Sequence, residues 1–238
     1  MSYELIASYE KWKEDTLRKK AEWDALPEEE QVRILAAEKQ ARIEMLARET
    51  QRVEKERAER AAEREHEVRI REWQDRGVTP RYFDATWENW IAQTPEQHKA
   101  LASVKQAWEK NLLVVGGNGT GKTHLAMCLA KDGAEYCLLP ELFRAVRDDM
   151  RLEQAYINKY GTCKLLVLDE AGRQKATEFE RNLLFEIIDK RWNNLLMTTI
   201  IGNIDQKEFG DLYGTAITDR LRPTVIKMSW ASKRGVVS

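Results

Sequence analysis

The spacing of apolar positions changes character twice along the chain. Ile6, Tyr9 and Trp12 fall at helical spacing, with Leu5, Leu17, Trp23 and Leu26 nearby, which predicts a short amphipathic helix. Residues 28–75 then contain neither Gly nor Pro and are rich in the strong helix formers Ala, Glu, Arg and Lys, so one long helix is predicted there. Leu26-Pro27-Glu28-Glu29-Glu30 marks its start, because proline fits the first turn and carboxylates suit the positive end of the helix dipole. Glu56/Arg60, Glu65/Arg69 and Glu67/Arg71 are i,i+4 pairs in the favourable order, each worth only about 0.2–0.5 kcal/mol. The apolar seam of Val32, Leu35, Ile43, Leu46 and Val53 is too broken for a sustained coiled coil. The aromatic first helix has two readings, a hairpin folded back on the long helix or a docking face for a partner protein.

Beyond Gly77 the pattern alternates. Val78-Thr79-Pro80 stops any helix before the proline, and a domain boundary is expected there. Thr94-Pro95-Glu96-Gln97 has the form of a helix start with a capping box. Short apolar runs predict strands at 112–115, 135–139, 164–168, 197–202 and 225–229. Helices are expected at 122–132, 140–158, 177–194 and, briefly, 206–212. Apolar strands alternating with helices imply an α/β fold with a buried, largely parallel sheet sandwiched by helices.

Charge sharpens the division. Of the 238 residues, 33 % are charged, and residues 1–76 hold 17 Lys+Arg and 20 Asp+Glu, so about half of that segment is charged. The remaining 162 positions carry 22 basic and 20 acidic residues, an ordinary globular density. No apolar run approaches the roughly 18–20 residues that cross a bilayer, and the N-terminus lacks the order of a secretory signal. Cys128, Cys137 and Cys163 are odd in number and form no CxxC pair, which argues against a disulfide framework or a zinc site. His66, His98 and His124 are isolated, and none is assigned as a metal ligand. A cytoplasmic protein with no membrane partner is expected, and the net charge of −1 argues against bulk attraction to nucleic acid while leaving room for a local basic stripe.

Four motifs carry candidate chemistry. Gly116-Gly117-Asn118-Gly119-Thr120-Gly121-Lys122-Thr123 satisfies GxxxxGK[ST] between a predicted strand and a helix that continues through His124. Glycines there let backbone N–H groups wrap a phosphate, Lys122 reaches β- and γ-phosphates, and Thr123 offers a hydroxyl to Mg²⁺. Residues 116–124 are thus the expected ATP-binding set. In Leu165-Leu166-Val167-Leu168-Asp169-Glu170 an apolar strand delivers two carboxylates at its C-terminal end. Asp169 is expected to hold hydrated Mg²⁺, and Glu170 to orient and deprotonate the attacking water. Asn203, after the strand 197–202, could sense the γ-phosphate or be a routine turn residue. Arg220, in Asp219-Arg220-Leu221-Arg222-Pro223, could complete a neighbouring subunit's site or make a surface salt bridge.

A resemblance bears on those last alternatives. Val78-Thr79-Pro80-Arg81-Tyr82-Phe83-Asp84-Ala85-Thr86-Trp87-Glu88-Asn89-Trp90 resembles the entry segment of DnaC-type helicase loaders, AAA+ ATPases of the initiator clade. Residues 168–172, 199–203 and 218–222 are similar to their Walker B, sensor 1 and arginine-finger segments, and 229–234 to their closing WxSxR motif. The resemblance implies an AAA+ P-loop core preceded by a long charged helical arm. It also implies ATP hydrolysis with Mg²⁺, contact with single-stranded DNA, and docking on a hexameric DnaB-like replicative helicase through the N-terminal region. By the same resemblance Asn203 becomes sensor 1 and Arg220 a finger acting on the neighbouring protomer's nucleotide, so copies self-associate through ATP sites and a lone monomer is a weak ATPase. The expected layout is a docking arm at 1–76, a linker and entry segment at 77–96 and an ATPase core at 97–238, without a lid because the chain ends soon after Arg220. Two departures from relatives are the absence of a cysteine-rich metal site and of that lid.

The same motifs fit other readings. An IstB-like transposition helper shares the same motifs. A nucleoside kinase shares the phosphate loop but needs a second substrate pocket, and an adaptor would use ATP only as a switch. Tyr82, Phe83, Trp87 and Trp90 divide between an adenine pocket and simple core. Arg144, Arg147, Arg151, Lys159 and Tyr160 form a basic-aromatic mix suited to single-stranded DNA or to a solvated helix face.

Overall fold

The computed structural model describes residues 3–172 and 175–232, with the backbone alone at 3–7 and 9. The Lys233-Arg234 end of the closing motif and the side chains of Leu5, Ile6 and Tyr9 lie outside the described residues. The chain divides into two compact units, Met1–His66 and Glu67–Ser238.

The first unit is helical. Helix α1 runs Tyr3–Asp24 and α2 runs Glu28–Asp75, its last turns belonging to the second unit. Pro27 stands one residue before α2, where its carbonyl accepts from Glu30 and Gln31 N–H groups. Gln31 Nε2 donates at 3.0 Å to the carbonyls of Trp23 and Leu26, closing the bend between the helices. Trp12, Leu17, Val32, Leu35, Ile43 and Leu46 are all more than half exposed among the described residues.

The second unit is built on a five-stranded parallel sheet. Its strands are β1 (Leu112–Gly116), β2 (Glu135–Leu138), β3 (Leu165–Ala171), β4 (Met197–Gly202) and β5 (Thr224–Met228), in spatial order β2-β3-β4-β1-β5. Burial on both faces explains the unbroken apolar runs. One face packs against α3 (Pro95–Lys105), α4 (Lys122–Lys131) and the 78–92 segment, around Leu112, Val114, Leu125, Leu129 and Val167. The other face packs against α5 (Leu139–Asp148), α6 (Glu153–Thr162), α7 (Glu178–Asn193), α8 (Gln206–Tyr213) and α9 (Thr215–Leu221), around Leu139, Leu166, Leu168, Leu183 and Phe209. The chain leaves β1 towards β2 at one sheet edge, returns through β3 to β4, and passes β1 to reach β5. Such a reversal of direction opens a crevice at the carboxyl ends of the central strands.

Several local details differ from expectation. The helix expected over 140–158 is broken: Asp149 is extended (φ −144°, ψ 94°), and its carboxylate accepts from Arg151 N–H and pairs with the Arg151 guanidinium at 2.8 Å. A short polar side chain bonding its own neighbourhood competes with the helix. Helix α9 was not anticipated; Gly214 (φ 108°) separates it from α8. The capping box at Thr94 is only half formed. Thr94 Oγ1 accepts from Gln97 N–H, whereas Gln97 Oε1 accepts from Gln93 N–H at 2.7 Å, one residue further back. Full boxes appear instead at Thr177/Glu180 on α7 and at Asp205/Glu208 on α8.

Candidate nucleotide-binding site

At the carboxyl end of β1 the chain turns into α4 through the 116–123 loop, over a cleft of about 1260 Å³. Gly119 (φ 79°) and Gly121 (φ 95°) hold left-handed conformations, and a Cβ at either would collide, with Ser232 Oγ and Trp90 Nε1 respectively. Only glycine fits this turn. Two indoles that border the same cleft fasten the loop: Trp90 Nε1 donates to the Gly121 carbonyl at 3.2 Å and Trp230 Nε1 to the Thr120 carbonyl at 3.0 Å. Their rings meet edge to face with centroids 6.0 Å apart. With two of its carbonyls bonded to indoles, the loop can aim N–H groups at an anion, beside the positive end of α4.

Lys122 Nζ donates to the Gly116 and Gly117 carbonyls at 2.6 and 2.7 Å, so its ammonium lies over the loop. Thr123 Oγ1 donates to Asp169 Oδ2 at 2.9 Å, which joins the loop to the end of β3. Asp169 is buried, and burial pushes its carboxyl above the usual range; donation from Glu170 N–H, Thr123 and Tyr136 opposes that push. Glu170 stands at φ 60°, inside a register shift between Leu168 and Ala171 in the pairing of β3 with β4. This bulge breaks the strand's alternation, so adjacent carboxylates can both border the cleft. After it, Gly172 N–H donates to Tyr213 Oη at 3.2 Å.

Asn203, beyond β4, lies between the two. Its Nδ2 donates to Asn118 Oδ1 at 3.0 Å across the mouth of the loop. Tyr82, Trp90, Ile91 and Gln97 line the opposite wall, an apolar and amide surface suited to a base. Phe83 and Trp87 turn away from it. Phe83 packs on Trp73 with centroids 6.2 Å apart, and Trp87 Nε1 donates to Asp132 Oδ2 at 2.7 Å. His124 approaches the Thr86 carbonyl at 2.9 Å and borders the cleft.

Lys122, Thr123, Asp169, Glu170 and Asn203 therefore surround one cavity, and Arg220 does not join them. Arg220 sits on α9, where its Nε lies 2.6 Å from Asp189 Oδ1 and its guanidinium stacks 4.4 Å above the Phe185 ring. The next carbonyl, Leu221, accepts from Asn111 Nδ2 just before β1, so Arg220 lies at the opposite end of the sheet. One strand length, roughly 15 Å, separates it from the cleft.

The donor set fits a triphosphate with Mg²⁺. A glycine-lined turn, an ammonium, a hydroxyl and a buried carboxylate converge, and Thr123 already donates to the aspartate as a hydroxyl does when its lone pairs face a cation. The basic-aromatic mix fares differently. Arg147 pairs with Glu180 at 3.4 Å, Lys159 with Glu135 at 3.1 Å, and Tyr160 is 7 % exposed and cannot stack on a base in this arrangement. Sequence reasoning missed Tyr136, whose hydroxyl touches Asp169; a tyrosine in a strand carries no motif.

The profile of the IstB-like ATP binding protein family matches residues 26–229. The replicative helicase loader DnaC of Escherichia coli K12 is 26 % identical over 162 residues, 61 % of this chain and 66 % of that protein, just under two thirds of its length. A crystal structure of the DnaC helicase loader superposes with a TM-score of 0.56 at 22 % identity, over 63 % of this chain and 99 % of that one. The replication initiator DnaA bound to AMPPCP and single-stranded DNA gives a TM-score of 0.56 at 18 % identity, over 65 % and 52 %. These likenesses give the second unit the AAA+ fold. Among the described residues no helix is long and apolar enough to cross a membrane.

Proposed function

The chain belongs to the family of IstB-like ATP binding proteins, and from that premise we propose that it is an ATP-dependent loader of a hexameric replicative helicase onto single-stranded DNA. The convergence of the 116–123 loop with Asp169, Glu170 and Asn203 on one cleft carries the reading.

In this reading the loop N–H groups and Lys122 bind the phosphates, Lys122 exchanging its two loop carbonyls for β- and γ-oxygens. Thr123 and Asp169 hold Mg²⁺, which when bound neutralises charge developing on the transferred phosphoryl group. Glu170 orients a water in line with the γ-phosphate and takes its proton. Asn203 leaves Asn118 to contact the γ-phosphate, so its amide reports whether that group is present. Arg220 completes the site of a neighbouring copy, since it lies too far from the cleft of its own chain. A contribution of about 10³–10⁵ in rate from such an arginine makes the monomer a weak ATPase. The layout follows: residues 1–76 dock on the helicase, 77–96 enter the core and cover the base, and 97–238 form the ATPase. The exposed apolar seam of α1 and α2 supports the docking role.

Size-exclusion chromatography with a DnaB-like helicase tests the proposal. Co-elution is expected with ATP and Mg²⁺, and it should fall when α1 is deleted. Failure to co-elute under any nucleotide condition would overturn the loader reading, and capture of a transposase instead would assign the ATPase to transposition.

A further inference from the structure

Tyr136, on β2, stands outside the nucleotide motifs, yet its hydroxyl donates to Asp169 Oδ2 at 3.1 Å. The same oxygen accepts from Thr123, and Oδ1 accepts from Glu170 N–H at 2.7 Å. Three donors thus fix the plane of a buried carboxylate: one from the phosphate loop, one from its own strand and one from β2. Of these only the tyrosine comes from an element that contributes nothing else to the cleft. Its ring is itself held. It is 7 % exposed, its N–H donates to the Arg76 carbonyl at 2.8 Å, and Gly77 (φ 91°) packs so closely that a Cβ there would lie 2.5 Å from the Tyr136 carbonyl and 3.2 Å from its ring.

We infer that Tyr136 is a positioning residue for the metal site, its hydroxyl holding the Asp169 carboxylate in the orientation that Mg²⁺-dependent ATP binding requires. The inference rests on the ATP–Mg²⁺ reading of the cleft. Removing the hydroxyl leaves Oδ2, among the described residues, with Thr123 alone, and Thr123 must turn its lone pairs to the cation, so a carboxylate short of one donor rotates more freely. Partners that orient metal ligands from behind are commonly worth about 10-fold or more in metal affinity. Phosphate binding by the loop does not pass through Tyr136 and stays as it is.

The test uses the full chain and a fluorescent ATP analogue, titrated with Mg²⁺ and, separately, in EDTA. For Y136F the Mg²⁺ concentration giving half-maximal binding should rise about 10-fold, while affinity in EDTA matches wild type. In a D169A background Y136F should add nothing, because the hydroxyl then has no carboxylate to orient. An unchanged Mg²⁺ requirement overturns the inference. So does an equal loss in Mg²⁺ and in EDTA, which would make the ring core packing only, and so does an additive effect in D169A. If wild type itself bound no analogue with Mg²⁺, the ATP reading would fail and this inference with it.

Discussion

Glu170 occupies a conformation that costs an ordinary residue of order 1 kcal/mol or more, and the bulge around it is what turns its side chain to the cleft. E170Q keeps the shape and removes the proposed base. ATP affinity should be unchanged while hydrolysis falls by about 10²–10⁴ in a single-turnover assay; equal loss of both would remove the residue from catalysis. The motif shows both carboxylates but not the bulge, because a local backbone insertion leaves no mark in residue type. The thiols are legible only as free: burial pushes Cys128 up to about 12 and Cys137 up to about 11. Both values are raised, so the stability these groups contribute is complete below the ordinary 9.0 and is lost as pH rises through the interval above it. The urea midpoint should therefore drop between pH 8.5 and 11. Half-buried Cys163 should react first with a thiol reagent at neutral pH. A flat pH profile, or prompt labelling of all three, would contradict this.

Among the elements, α7 depends on one buried cation. Arg191 is 1 % exposed and donates to Thr198 Oγ1 at 2.8 Å, to the Tyr160 and Cys163 carbonyls at 2.6 and 2.9 Å, and to the Met197 carbonyl. It joins the end of α6, the end of α7 and the start of β4, where water cannot replace it. Several acceptors lose their donor in R191M, so unfolding free energy should fall by about 2–4 kcal/mol. R191K should recover little, because an ammonium cannot span that fork. A melting temperature within a degree or two of wild type would refute this role. The strands were legible from their apolar runs, since burial on both faces demands them. The break at Asp149 and the extra α9 were not, because one side-chain bond and one glycine decide each. Arg191 was invisible for a similar reason: an arginine in a helix pattern reads as surface.

For the second unit as a whole, the trans role proposed for Arg220 predicts complementation. In that role R220A would retain an intact cleft without a finger, and K122A would keep a finger without a working cleft. Each alone should hydrolyse ATP poorly, and an equimolar mixture should turn over faster than the sum of the two. No gain on mixing would mean that Arg220 only braces α7 through Asp189 and Phe185. The linear order of the motifs was plain in the sequence, but the distance between the last of them and the first three was not. Spacing along a chain says little about which end of a parallel sheet a helix will reach.

If Arg220 acts on a neighbouring copy as proposed, its ion pair with Asp189, far from the cleft of its own chain, has a further meaning. In that role the finger and the cleft, at opposite ends of one sheet, would stack copies of the second unit head to tail, and such stacking closes only if the rotation per copy divides a full circle. A closed circle of copies has as many completed sites as members, whereas an open staircase has one fewer and leaves a terminal arginine still bound to Asp189. Counting active sites per assembly would therefore distinguish a ring from a lock-washer.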